Sequence, residues 1–219
     1  KEKLIIEFEN ISYCLKYIFN NKEVYIQIAT VLNKIKDISG TIKNLENQRT
    51  LDIVELYEVK LFAYYVESLI KIFHKYNIVF PNVDMKSLSE IYNLLDPDGQ
   101  KLPTFMIYDD YCENLILIRK NKNRLEQEIR NNINSEFMEK TLSKRRDLVY
   151  QEELQEQEIR KDLTLKISKF NDILTEDIGF IMYIDLLIAK SKLAKDYNCV
   201  MPIINDKNIF IIANFHPKK

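Results

Sequence analysis

In the first twenty positions apolar residues recur every three or four steps: Leu4, Ile5, Phe8, Ile11, Leu15, Ile18 and Phe19. That spacing predicts one amphipathic helix over residues 2–20 with those side chains inward. Asn20-Asn21 predicts a break. A second helix is expected over residues 22–45, with Val24, Ile28, Val31, Leu32, Ile35, Ile38, Ile42 and Leu45 inward. Gly40 weakens it, since glycine inside a helix costs about 1 kcal/mol relative to alanine. A third helix is expected over residues 52–76, its stripe being Val54, Leu56, Tyr57, Leu61, Tyr64, Tyr65, Leu69, Ile72 and Phe73.

Pro81 ends that region. Asp84-Met85-Lys86-Ser87 reads as an N-cap leading into a short helix at 88–95. Asp96-Pro97-Asp98-Gly99 is the strongest turn signal in the chain. Leu102 to Tyr108 reads as a short strand or extended segment, and Asp109-Asp110 as the cap of the next helix.

From Tyr111 the pattern changes. Leu115, Ile118, Lys122, Leu125, Ile129 and Asn132 step by threes and fours, a heptad seam with polar members. Residues 131–135 read as a turn. Residues 136–197 hold no proline and a single glycine, Gly179, and predict long helix. Its seam candidates are Leu148, Ile159, Leu163, Ile167, Phe170, Leu174, Ile178, Ile181, Leu186, Ile188, Ala189 and Leu193. Between Glu136 and Arg160 apolar residues thin out, so this stretch can bury its narrow stripe only against one partner. The simplest solution is two long antiparallel helices forming an arm, of roughly 40 Å at a rise of 1.5 Å per residue. Short strand-like runs follow at 200–204 and 209–212.

The expected class is therefore all-α in the main: a helical core over 1–110, an antiparallel two-helix arm over 111–165 with a short tip near 131–146, and returning helix plus a few short strands over 166–219. Three glycines and five prolines in 219 residues agree, because sandwiches, barrels and α/β folds need more turns. No apolar run is long enough for a membrane span. Three widely separated cysteines (Cys14, Cys112, Cys199) fit reduced thiols in a cytoplasmic protein, with Cys14 and Cys112 in the core. The missing initiator methionine and the ending in Lys218-Lys219 lead us to expect a piece of a longer protein.

The chemistry of catalysis is missing from this stretch. It has no phosphate-cradling glycine loop, no His/Cys cluster with metal spacing and no catalytic constellation, so no cofactor or metal is expected in it. His74 and His216 are isolated. Asp96 to Gly99 lacks the distal glutamate of a calcium loop. The glutamates at 152–153 and 156–158 read as a solvated helix face.

Six pieces, taken in order, resemble the MutS family of DNA mismatch-repair proteins. Leu51 to Lys60 resembles the helix entering its core or lever domain. Leu94-Leu95-Asp96-Pro97-Asp98-Gly99-Gln100 with Phe105 to Asp109 resembles the middle of that domain. Leu115 to Arg130 resembles the helix leaving toward the clamp, and Glu152 to Leu163 the helix returning. Ile184 to Ala194 is similar to the last lever helix. Asn214-Phe215-His216-Pro217 stands where the family carries Arg-His-Pro before its ATPase domain, Phe215 being a departure. A second departure is the tip, too short for a clamp with its own small sheet.

The resemblance implies a non-catalytic lever and clamp region coupling a following ATPase domain to DNA. It implies double-stranded DNA and that ATPase domain as partners, ATP and Mg in the parent protein only, and room for a homodimer of the parent. The rival reading is a helical-bundle or coiled-coil interaction scaffold with no DNA role. Overall charge is nearly balanced, 32 basic against 33 acidic residues, so DNA contact would need a local patch. Residues 119–132 hold Arg119, Lys120, Lys122, Arg124 and Arg130 against Glu126 and Glu128, with Arg124–Glu128 and Glu126–Arg130 spaced to pair. Residues 140–146 hold Lys140, Lys144, Arg145 and Arg146 with no acid, and these four are the candidate DNA-backbone residues.

Overall fold

The computed structural model describes residues 2–99, 105–131, 135–200, 203–204 and 209–210. Among them are eight α-helices: α1 (Glu2–Cys14), α2 (Lys22–Leu32), α3 (Ser39–Glu46), α4 (Ile53–Lys75), α5 (Ser89–Leu94), α6 (Glu113–Asn131), α7 (Ser135–Ser168) and α8 (Asn171–Asp196). The class is all-α. Ile203–Ile204 pairs antiparallel with Ile209–Phe210, two residues each, too little to alter the class. The rest of the strand-like region at 200–212 lies largely outside the described residues, as do Leu102–Thr104 and 211–219. Phe105 to Tyr108 is irregular rather than a strand.

The chain divides into two compact units that interleave in sequence. The first takes 1–37, 64–87 and 173–219; the second takes 38–63 and 88–172.

In the first unit, α1 continues into a π-helical turn, Leu15–Phe19, so the expected helix over 2–20 is continuous but widened at its end. Lys195 closes that end by donating from Nζ to the Phe19 carbonyl at 3.0 Å, a cation on an orphan helix-end acceptor. The buried stripe of α1 and the π turn is Asn10, Cys14, Ile18 and Phe19; Leu4 points to solvent. Asn10 is buried because it donates from Nδ2 to Tyr183 Oη at 2.8 Å. Burial pushes the Cys14 thiol up to about 11, with a hydrogen bond to Ser191 opposing, so it is an inert core residue. Asn21 accepts from the amides of Glu23 and Val24 and caps α2, which explains the break after Asn20.

The helix expected over 22–45 is in fact two, α2 and α3, separated by residues 33–38. Gly40 sits in the first turn of α3, where its cost is small. Asp84 to Ser87 does not cap α5: the cap position is Leu88, without a side-chain bond, and Ser87 donates to Glu67 at 2.6 Å.

α8 buries Leu174, Asp177, Ile178, Ile181, Ile184, Leu187, Ile188 and Ser191. The expected inward positions Leu186, Ala189 and Leu193 face outward instead. They lie off the stripe that runs in threes and fours from Leu174 through Ile178, Ile181 and Ile184 to Ile188, and Phe170 sits in the turn that precedes α8.

In the second unit, Asp52 and Glu55 form a capping box for α4: the Glu55 amide donates to Asp52 Oδ1 and the Asp52 amide to Glu55 Oε2, both at 2.8 Å. α4 then buries Leu56, Val59, Lys60, Phe62 and Ala63, while Val54 is exposed. Lys60 is the unexpected member. Its side chain is 2% exposed, and Nζ lies 2.7 Å from Asp96 Oδ1 and 3.2 Å from Tyr108 Oη. Tyr108 also turns its ring to the ammonium at 5.4 Å. Asp96 is thus held while its carbonyl accepts from the Gly99 amide at 3.0 Å, closing the turn in which Gly99 takes φ +64°. Asp109 and Asp110 form a 3-10 turn with Tyr111 rather than a side-chain cap.

Removing one member of the Lys60–Asp96 pair strands a buried charge. Asp96→Ala is expected to cost about 3–5 kcal/mol in denaturant unfolding, and Lys60→Met with Asp96→Leu together much less. Asp177 gives a second prediction. Its Oδ1 accepts from the Lys86 amide at 3.0 Å, but its buried Oδ2 has no partner. Burial pushes this carboxyl up to about 6, with Glu176 and Asp84 adding to the rise and the Lys86 amide opposing it. The folded chain therefore binds a proton that the unfolded chain releases, and stability should fall as pH rises from about 4 to 6. Asp177→Asn should raise stability at pH 7.5 by about 2 kcal/mol and flatten that slope, read by thermal melts across pH.

Candidate nucleic-acid interface

α6 and α7 form the expected antiparallel arm. Asn114 donates to Gln155 at 2.9 Å, Arg119 Nε to Glu152 at 3.0 Å, and Arg145 Nε to Glu126 at 2.9 Å. Each step forward on α6 meets a step back on α7, which fixes both direction and register. At 1.5 Å per residue α6 spans about 28 Å and α7 about 50 Å. The turn expected at 131–135 falls between them, and residues 132–134 lie outside the described residues.

Leu115, Ile118 and Leu125 are buried on α6, and Ile159, Leu163 and Ile167 on α7. Between Ile118 and Leu125 the seam is polar. Arg119 gives Nη2 to Glu156 at 2.7 Å, Nη1 to the Ile107 carbonyl at 2.9 Å and a short bond to Asp109, besides Glu152. Lys122 closes on the other oxygen of Glu152. Burial alone would raise the Glu152 carboxyl, but the bonds from Lys122 and Arg119 outweigh it and hold it below the usual carboxylate range. Glu152 and Glu156 are therefore the arm's internal clasp, not a solvated face. Their spacing opposite Arg119 could not be read before the register of the hairpin was known.

This clasp changes the electrostatics inferred from counting. Arg119 and Lys122 are neutralised within the arm, and Arg124 lies 3.7 Å from Glu128. Glu126 turns to Arg145 across the hairpin, not to Arg130. Of the four tip candidates, Arg145 thus faces α6 and holds the arm closed. Lys144 and Arg146 are exposed, and Lys140 is exposed with an interaction of its own. At about 100° per residue Lys140 and Lys144 share one flank of α7, while Arg146 falls on the opposite flank. The candidate cations are divided between two faces.

Glu152→Gln removes the charge that holds Arg119 and Lys122 and should loosen the arm, by about 1–3 kcal/mol for a charge-assisted pair. Because this carboxyl is depressed in the folded state, its contribution is present at neutral pH and lost as pH falls through the folded value. Hydrogen exchange of α6 and α7 amides at pH 7 should quicken in Glu152→Gln, and the difference should vanish in strong acid.

No family model matches the sequence. A stretch of 73 residues is 34% identical to the endonuclease MutS2 of Acetivibrio thermocellus, taking in 33% of this chain and 9% of that protein. A stretch of 64 residues is 39% identical to the endonuclease MutS2 of Clostridium botulinum, taking in 27% of this chain and 8% of that protein. The match spans less than a tenth of the length of these curated relatives. No helix among the described residues is long and apolar enough to cross a membrane. These partial similarities support a relation between this all-α chain and the MutS family.

Proposed function

We propose that the chain is a non-catalytic lever and clamp part of a MutS-related DNA-repair protein, coupling the nucleotide state of an ATPase domain elsewhere in the parent to contact with double-stranded DNA. The observation that carries it is the clasped antiparallel arm of α6 and α7, in a chain whose sequence is partly similar to MutS2 endonucleases. A hairpin whose register is held by Arg119, Lys122, Glu152 and Glu156 transmits displacement along its length instead of sliding. α7 is also tied at its base: Thr164 Oγ1 accepts from the buried Leu51 amide at 3.0 Å and donates to the Arg160 carbonyl at 2.7 Å. Leu51 immediately precedes the capping box of α4, so the arm's root and the start of α4 are joined by one buried hydroxyl.

In this reading ATP and Mg bind the parent's ATPase domain and none of the residues here. DNA contact is by phosphate neutralisation alone, because lysine and arginine on an exposed helix read no base. Arg145 stays with Glu126, leaving Lys140 and Lys144 on one flank and Arg146 on the other.

The test uses the full-length parent protein. Lys140→Gln with Lys144→Gln, and separately Arg146→Gln, are compared with wild type in duplex binding over a range of salt. One of the two flanks should lose affinity, with a salt slope flattened by up to about 0.9 per lost phosphate contact. Unchanged affinity and slope in both would remove the tip from DNA contact.

A further inference from the structure

α8 carries an apolar stripe on its outer side that its own unit leaves uncovered. Met182, Leu186 and Leu193 are 64%, 51% and 57% exposed, and Gly179 and Ala189 are exposed between them. The steps from Gly179 to Leu193 alternate three and four, the period of a helix that packs along one partner helix. Scattered exposed apolar residues need no explanation, but a stripe in register over four turns does. Beside it lies a cavity of about 210 Å³ lined by Leu32, Ile35, Ile178 and Ile181 together with Met182 and Asp185 of the stripe's edge, so the uncovered surface is wider than the helix.

The charges around the stripe say which partner suits it. Toward the N-terminal half lie exposed Glu176 and Asp185; toward the C-terminal half lies exposed Lys192, while Lys190 is paired with Glu7 and Lys195 with the Phe19 carbonyl. Asp185 and Lys192 are seven residues apart and so flank the stripe on the same side. Two antiparallel helices bring the same flank of each together, as α6 and α7 do. A second α8 laid antiparallel therefore sets Asp185 beside Lys192 of the other copy, and the reverse, twice by symmetry. The same placement stacks Met182 on Leu193 and Leu186 on Ala189, large against small in each layer. A parallel pairing would set acidic half on acidic half and Leu186 on Leu186. Such self-complementarity is what a two-fold contact requires.

We propose that α8 is a self-association surface: two copies of the chain pair through antiparallel α8 helices along Met182, Leu186, Ala189 and Leu193, with Asp185–Lys192 ion pairs on the flanks. The pairing is independent of DNA or nucleotide. The contact is short, so the dimer forms reversibly at micromolar concentration.

Sedimentation velocity of the 219-residue chain from about 1 to 200 μM tests it. Wild type should shift from monomer to dimer across that range, and Leu186→Glu should weaken the dimer at least tenfold with its helical CD spectrum intact, since Leu186 is 51% exposed and lies outside the buried stripe of α8. Asp185→Lys and Lys192→Asp should each be weakened alone, because each homodimer then sets like charges together. A mixture of the two should restore the dimer, because the mixed pair is complementary at both sites. A wild type that stays monomeric throughout, or a Leu186→Glu chain that dimerises as wild type does, would overturn the proposal. A mixture of the charge variants that stays as weak as its components would overturn the antiparallel register. Should Leu186→Glu lose helicity, the charge variants carry the test by themselves.

Discussion

The arm exists because Glu152 has two cations to hold. α7 has too few apolar residues between its start and Ile159 to define where α6 must lie, and a narrow apolar seam alone permits slippage by a heptad. Ionic layers remove that freedom. Arg119 reaches Glu152, Glu156, Asp109 and the Ile107 carbonyl at once, and no shifted register satisfies all four. Asn114–Gln155 below and Arg145–Glu126 above repeat the same choice with weaker groups. Arg119, Lys122 and Glu126, charges that look available on α6, are consumed in specifying the hairpin.

Buried charge plays a comparable part at α4. A lysine inside an otherwise apolar helix face would be costly unless matched, and Asp96 with Tyr108 supplies the match. The pair joins the middle of the unit to the turn at Asp96–Gly99, so a loop that would otherwise be held by a single backbone bond is tied to the core. Tyr111 adds a second tie by donating to the Leu94 carbonyl at 2.9 Å.

Long periodic segments were legible in the sequence: α1, α4, α6 and the pairing of α6 with α7 follow from spacing alone. Phase was not. In α8, Leu186, Leu187, Ile188 and Ala189 form one unbroken apolar run, and the run itself does not say which of its members turn inward. The apolar run over 22–45 concealed a break that neither proline nor a glycine pair marks. Among polar residues the difficulty was sharper. Lys60, Asp177, Glu152 and Glu156 gain their roles from partners 30 or more positions away, or from lacking one, and a linear reading sees only charged letters. The tip cations were found by counting, but counting could not tell that Arg145 looks inward or that Lys144 and Arg146 lie on opposite sides.

The difference in length between the two arm helices has a mechanical consequence. α6 covers only part of α7, and the remainder of α7 is anchored through Thr164, which accepts from the Leu51 amide. A single uninterrupted rod of about 50 Å is thus seated at one end and paired over the other. Rotation of the seat by about 5° displaces the far end by about 4 Å, roughly the separation of neighbouring residues along a chain. A small rearrangement at Leu51 would in this geometry become atomic-scale travel at Ser135 with the bonds within the arm kept.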